Sequence, residues 1–227
     1  MSLRFIFKQS QEVMKIFYTK LSILMAVTYQ VLLIVLIFLR PDIHPYSNTI
    51  SEWAIGKFGW LMQVAFFCSA LSYLFLFLSL KRDVDGTWGK IGLLLLFICF
   101  IGTIGVGAFV TDPYPPDFTI ATTLIHTISG ALAMALLPFA ALFINRSLMR
   151  NEHWKAAKNI LKWTAFLPLL AFIGFIAHFN LFVAPLGENA VGENVPIGYP
   201  PRIMFLVYHI WLIILAVSIL KLNKSKT

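Results

Sequence analysis

The chain has 227 residues, of which 59% are hydrophobic and 12% charged, and its formal net charge at pH 7 is +8. A soluble domain of this length typically carries about 25% charged residues, so the composition excludes an ordinary soluble globular domain and favours a chain folded in lipid. The basic charge would suggest a nucleic-acid partner in a soluble protein. Here it lies in the connections between long apolar stretches, and we expect no nucleic acid as a partner.

The apolar stretches predict an all-α, polytopic membrane protein. A spanning helix needs roughly 20 mostly apolar residues, and six stretches qualify, at about 21–39, 60–80, 91–111, 120–145, 163–184 and 203–220. Residues 21–222 therefore form one predicted six-helix membrane domain. Residues 1–20 mix Phe and Ile with Lys and Arg, which is typical of an interfacial amphipathic segment and equally of a frayed start to the first span. Residues 223–227 are a short basic tail.

The basic residues are distributed unevenly between the two sides of the predicted membrane. With six spans, both termini lie on one side, and all but three of the 18 Lys and Arg residues fall on that side. The exceptions are Arg40, Lys57 and Arg202. Because cytoplasmic loops carry an excess of Lys and Arg, we predict a multi-pass protein of the cell membrane with both termini in the cytoplasm.

The three connections on the predicted outer side carry most of the polar chemistry. The first, RPDIHPYSNTISEWAIGKFG, contains His44, Ser47 and Glu52. The second, TDPYPPDFT, places Asp112 at the end of the third span, and the third, APLGENAVGENVPIGYPPR, is rich in Gly and Pro. Stiff loops over one end of a bundle are typical of a lid above a pocket, and also of a stable extracytoplasmic turn.

Three of the five histidines lie inside predicted spans at matched depth. His126, His178 and His209 each fall seven residues from the outer boundary of their span, which is on the order of 10 Å at about 1.5 Å per residue. An ionisable residue inside a span is costly, so by default it faces the bundle interior and marks function. Small and polar residues share one face of the fourth span with His126, namely Thr122, Ser129, Gly130 and Ala133.

Several kinds of site fit these residues. Three imidazoles suit a zinc ion with an open position for water, with Glu52 or Asp112 as the base. Without metal, His–carboxylate pairs would serve acid–base chemistry or a proton relay. Two histidines on facing helices would hold a b-type haem, which we favour less than zinc. The remaining alternative is that each histidine only stabilises the bundle.

Two parts of the sequence resemble a known family. One is HPYSNTISEWAIGKFGWLMQV, and the other is GVGAFVTDPYPPD followed by LIHTISGALA. They are similar to the prokaryotic membrane proteins catalogued as domain of unknown function 998, and the resemblance covers residues 21–220. The motif residues here are His44, Ser47, Gly59, Trp60, Asp112, Pro113, His126 and Gly130.

This resemblance implies six spans and a constellation of His44, Ser47, Asp112 and His126. His178 and His209 lie outside the pattern, which disfavours a three-histidine metal site common to the family. The family has no settled activity, so the resemblance implies architecture and candidate residues but no reaction.

We expect an outward-facing polar site that acts, with or without metal, as a hydrolase or transferase on a lipid or small amphiphile in the bilayer. The predicted catalytic residues are His44, Ser47, Glu52, Asp112 and His126. The predicted metal ligands are His126, His178 and His209. The alternatives are a non-enzymatic sensor, binding or partner-assisting protein with structural histidines, and a haem electron-transfer protein.

Overall fold

A computed structural model describes residues 3–190 and 192–224, and within these ranges the protein is entirely helical, without strands. The α-helices α1 to α7 are Leu3–Leu39, Gly59–Leu80, Gly86–Ala108, Ala121–Leu148, Lys158–Thr164, Leu167–His178 and Tyr199–Lys224. Short 3₁₀ helices occupy Ser51–Ala54, Glu152–Ala157 and Ala184–Asn189, and a π-helical turn occupies Phe179–Val183.

Six helical segments in the described part of the chain are long and apolar enough to cross a membrane. They are Gln9–Leu39, Gly59–Leu80, Gly86–Ala108, Ala121–Leu148, Glu152–Gly187 and Tyr199–Lys224. The predicted all-α fold with six spans is confirmed. These six helices indicate a multi-pass membrane protein, while the cell membrane as its location and the cytoplasmic termini stay predictions.

The two terminal segments continue the helices beside them. From Leu3 onward, the predicted interfacial segment at 1–20 is the first part of α1. At about 1.5 Å per residue, α1 is roughly 55 Å long, well beyond the hydrocarbon thickness of about 30 Å. In the predicted basic tail, Asn223 and Lys224 complete α7, and residues 225–227 lie outside the described residues.

The spans form a ring in which chain neighbours pack together and α7 closes the circle against α1 and α6. The tightest pair is α3 with α4, where glycines remove side chains from the interface. A Cβ built at Gly102 would lie 2.7 Å from the Ser129 carbonyl oxygen. Helix association in lipid depends on such close packing. The packing between α4 and α6 is the sparsest in the ring.

The fifth span is irregular, which explains its loose packing. It breaks after α5 at Thr164 and resumes as α6, with Pro168 in the first turn, where a missing N–H costs no helical hydrogen bond. After His178 it widens into the π-helical turn. Such turns interrupt regular packing and often occur near functional sites.

Three connections meet at one end of the bundle, which we name the long-loop end: 40–58, 109–120 and 184–198. Gly198 N donates to Tyr46 O at 2.7 Å, and Arg202 Nη1 donates to Asn48 O at 2.9 Å. The opposite end is held by Lys15 Nζ, which lies 2.6 Å from Asp83 Oδ2. These bonds join the first and third connections into a single cover over the long-loop end.

Candidate functional site

His126 projects from α4 into the bundle near the long-loop end and is 5% exposed. Its Nδ1 lies 2.6 Å from the Phe109 carbonyl oxygen, and its Nε2 lies 2.8 Å from Ser51 Oγ. A carbonyl oxygen only accepts, so Nδ1 must carry a proton and donate. In the neutral ring, Nε2 then accepts from the Ser51 hydroxyl. The arrangement is a serine hydroxyl, a histidine base and a group that orients the base.

Ser51 is held in place by the short 3₁₀ helix of the first connection. The Glu52 carboxylate holds the backbone that precedes Ser51, because Thr49 N donates to Glu52 Oε2 at 2.5 Å. Asn48 Nδ2 donates to the other carboxylate oxygen at 3.1 Å. Trp53 is fully buried, and the Arg202 guanidinium lies 4.5 Å from its ring centroid. Carboxylate and indole together fix the backbone on both sides of Ser51.

The Phe109 carbonyl is positioned by the turn between α3 and α4. Phe109 ends α3 in an extended conformation. Just beyond it, Asp112 N donates to Thr123 Oγ1 at 3.2 Å, and Thr123 Oγ1 donates to Asp112 Oδ2 at 3.0 Å. Thr123 is fully buried in the first turn of α4. This pair of hydrogen bonds ties the two helix ends together and holds the carbonyl beside the His126 ring.

Ser51 and His126 line two adjoining cavities with mostly apolar walls. The inner chamber, of about 240 Å³, receives residues from all six spans, including Tyr29, Ser69 and Phe205. The side chamber, of about 370 Å³, lies between α4 and α6. Because both chambers share Ser51 and His126, the hydroxyl and the imidazole lie where the two cavities meet.

The side chamber opens toward the outer surface of the bundle where α4 and α6 pack least. Its walls include Ala131 and Ile176, and Ile128 and Leu132 lie exposed on the same surface of α4. The opening of the side chamber therefore has an apolar rim.

The predicted catalytic residues fall into three groups. His126 and Asp112 both line the side chamber, although the Asp112 carboxylate bonds Thr123 and the imidazole bonds Phe109 and Ser51. Ser47 and Glu52 line a third cavity of about 280 Å³ at the long-loop end, which we name the vestibule. It is bounded by Ser47, Asn48, Glu52, Pro113, Tyr114, Ala190, Gly192 and Glu193.

His44 stands apart from both chambers and from the vestibule. It is exposed, and its Nδ1 accepts from Tyr46 N at 3.3 Å. The side chain therefore has a local role within the first connection.

Ser51 was not among the residues that the sequence predicted. The sequence instead predicted Ser47, which belongs to the His-Pro-x-Ser motif. The Thr49-x-x-Glu52 capping-box spacing was the signal that could have identified a helical turn carrying Ser51. Its partner, His126, lies 75 positions away, and no local pattern predicts such a contact.

The three histidines inside the spans do not converge. His178 Nε2 lies 2.7 Å from Pro196 O. His209 Nδ1 lies 2.8 Å from Phe205 O, and its Nε2 lies 3.1 Å from Ser69 Oγ. Among the described residues, no three His, Cys, Asp or Glu side chains are grouped so that they could hold a metal ion. The structure thus does not bring the predicted zinc ligands His126, His178 and His209 together.

The haem alternative requires a geometry that His126 and His209 do not have. A bis-histidine haem requires two ring nitrogens that face one shared space. Both nitrogens of His126 and of His209 are hydrogen-bonded within the protein. The sequence predicted an equal depth for the three histidines, but the rotation of each helix directs each ring toward a different partner.

Fold and site together define a helical protein with six spans of membrane-crossing length and a Ser–His pair at the long-loop end, in which His126 is buried and Ser51 is half-buried. The chain matches the family described as "Protein of unknown function (DUF998)" over residues 23–218 and belongs to it. The family predicted from the motifs is thereby confirmed. No match to this chain was found among curated proteins or among solved structures.

Proposed function

We propose that this protein is a membrane-embedded hydrolase or transferase that uses Ser51 as nucleophile and His126 as general base. The observation that carries the proposal is the 2.8 Å hydrogen bond between Ser51 Oγ and His126 Nε2 at the junction of two apolar chambers. A nucleophile within hydrogen-bond reach of a base, which a third group orients, is the general arrangement of covalent catalysis by serine.

The substrate best suited to this site is an ester of a lipid or small amphiphile. The apolar side chamber accepts an acyl chain, and its opening between α4 and α6 admits one from the bilayer. The ester group then lies at the polar junction beside Ser51. With the predicted topology, this junction faces away from the cytoplasm.

The reaction would proceed in two steps through an acyl-enzyme. Ser51 Oγ attacks the ester carbonyl carbon while its proton passes to His126 Nε2. The protonated ring gives that proton to the leaving alcohol oxygen as the carbon–oxygen bond breaks. Throughout, the Phe109 carbonyl accepts from Nδ1–H and keeps Nε2 directed at the reaction. Water or another alcohol then releases the acyl group by the reverse sequence of proton transfers.

Labelling with a long-chain alkyl fluorophosphonate tests this proposal. The wild-type protein, purified in detergent, should be labelled covalently, and Ser51→Ala should abolish the labelling. Ser47→Ala is the matched control, because Ser47 lies on the same connection but lines neither chamber, and its labelling should equal wild type. Labelling that persists in Ser51→Ala would refute Ser51 as the nucleophile.

A second candidate is an amphiphile-binding protein without chemistry. It is favoured by the group that orients His126, which is a backbone carbonyl rather than the carboxylate that completes a Ser-His-Asp triad. In that case Ser51 would be inert to fluorophosphonates. The purified protein would still retain a lipid, which native mass spectrometry detects.

A further inference from the structure

We infer that Tyr114 controls which second substrate reaches the Ser51–His126 pair, because it separates the vestibule from both chambers. The chemical part of this inference rests on the proposed function. The geometric part, a single side chain that lies between the polar vestibule and both apolar chambers, does not.

Tyr114 lines all three cavities at once. It borders the inner chamber and the side chamber together with Ser51 and His126. It also borders the vestibule together with Ser47 and Glu52. Ser51 and His126 do not line the vestibule. Tyr114 is therefore a wall shared by the compartment that holds the reactive pair and the compartment beside the long-loop surface.

Two contacts hold Tyr114 between the first and the third connections. The Tyr114 backbone N–H points to Glu52 Oε1 at 3.4 Å, which links the second connection to the first. Its side chain packs against the buried apolar cluster of Val183, Val195 and Ile197 from the end of the fifth span and the third connection. Removal of the ring would leave the backbone link in place and join the vestibule to the chambers.

Hydrolysis through an acyl-enzyme requires a route for water that the side chamber does not supply. The hydrocarbon core of a bilayer holds almost no water. Asp112 lies in the wall of the side chamber near the long-loop end, but the opening between α4 and α6 is lined by apolar side chains. The vestibule is the polar alternative, since Ser47, Asn48 and Glu193 lie in its wall. We assign the side chamber to the substrate that donates the acyl group and the vestibule to the molecule that accepts it.

The vestibule also restricts the class of acceptor. Its wall contains the carboxylates of Glu52 and Glu193 and no Lys or Arg among its lining residues. Neutral or cationic acceptors are favoured there, namely water, alcohols and amines, and anionic acceptors are disfavoured. In the second step, His126 Nε2 takes a proton from the acceptor as its oxygen or nitrogen attacks the acyl carbon. The bond from that carbon to Ser51 Oγ breaks, and the proton passes to Oγ.

The test measures access to position 51 without requiring catalysis. In a background with Cys68→Ala and Cys99→Ala, which removes both native cysteines, Ser51→Cys is modified with a cationic trimethylammonium methanethiosulfonate in detergent. Adding Tyr114→Ala should raise the modification rate roughly tenfold or more, since thiol modification depends on exposure of the thiolate. Tyr114→Phe keeps the ring and should leave the rate unchanged, and Tyr114→Trp should lower it.

Ser47→Cys is the matched control, because it places the thiol in the vestibule on the reagent's side of Tyr114. Its modification rate should be the same with Tyr or Ala at position 114, and thermal unfolding in detergent checks that Tyr114→Ala remains folded. If Tyr114→Ala and Tyr114→Trp both leave the Ser51→Cys rate unchanged, the inference is overturned. If thiol access changes as expected but wild-type Ser51 is inert to fluorophosphonate, the passage stands and the proposed chemistry fails.

Discussion

Replacement of His126 by Asn distinguishes the proposed catalytic role of this side chain from a purely structural one. The asparagine amide has an N–H that can donate to the Phe109 carbonyl, as Nδ1 does at 2.6 Å. It has no nitrogen that can accept a proton from Ser51. If His126 only ties the long-loop end together, His126→Asn should be a mild change. If it is a general base, the reactivity of Ser51 should collapse.

The expected magnitudes differ enough to decide between these roles. Loss of the hydrogen bond to Ser51 Oγ should lower the free energy of unfolding by about 1 kcal/mol. Loss of a general base should lower the rate of Ser51 phosphonylation by about 10²- to 10⁴-fold. At about 1.4 kcal/mol for each factor of ten, that is roughly 3–6 kcal/mol of activation free energy, several times the cost in stability.

The assay pairs two measurements on the same preparations. Labelling rates are taken with the long-chain alkyl fluorophosphonate, and stability is taken from thermal unfolding in detergent. His44→Asn is the control, because His44 is exposed and lines neither chamber, and both quantities should match wild type. An unchanged labelling rate in His126→Asn would refute the role of general base. A loss of labelling explained by unfolding would point to a structural role alone.

Three other substitutions, two of them with a matched control, test the packing and the polar contacts around the site. Gly102→Ala should destabilise the protein by about 1–3 kcal/mol, because the new Cβ would overpack against α4. Gly174→Ala is the control and should not destabilise it, since no atom lies within 4 Å of the new Cβ. Equal effects of the two substitutions would contradict this α3–α4 packing. Glu52→Gln should lower the free energy of unfolding by about 1–3 kcal/mol, because one acceptor oxygen is replaced by an N–H₂ that faces donors. The control Glu193→Gln should be neutral because Glu193 is exposed, and unchanged stability in both variants would exclude this role of the Glu52 carboxylate. Arg40 hydrogen bonds hold the pKa of Asp42 below its ordinary value, so this pair adds stability above about pH 3.9 and loses it as the pH falls further. The unfolding temperature of Asp42→Asn should therefore lie slightly below wild type near neutral pH and approach it in acid, and a difference that does not vary with pH would refute this contribution.

The spans and the family were predictable because apolar runs and short motifs are visible in the sequence itself. An apolar run such as the one ending at Leu39 needs no tertiary information to be recognised. The side of the bundle that carries Asp112 and His126 was also predictable, since chain order through six spans fixes which connections share an end. The motif around these two residues then identified the family.

The assembly of the site depends on rotations and turns that periodicity does not encode. Helical rise gave His126, His178 and His209 a common depth, but the direction of each ring follows from helix packing. Pro196 and Ser69 therefore bind two of them separately. Ser51 lies on a four-residue 3₁₀ helix within a connection, which is too short to produce a helical pattern.

The most direct test of the Ser51–His126 site is mass-spectrometric mapping of the residue that a long-chain alkyl fluorophosphonate modifies in the wild-type protein. We expect a single phosphonyl adduct on the peptide containing Ser51, which is absent when His126 is replaced by Asn. An adduct on any other residue, or an unmodified Ser51 in folded protein, would contradict a nucleophilic serine at the junction of the two chambers.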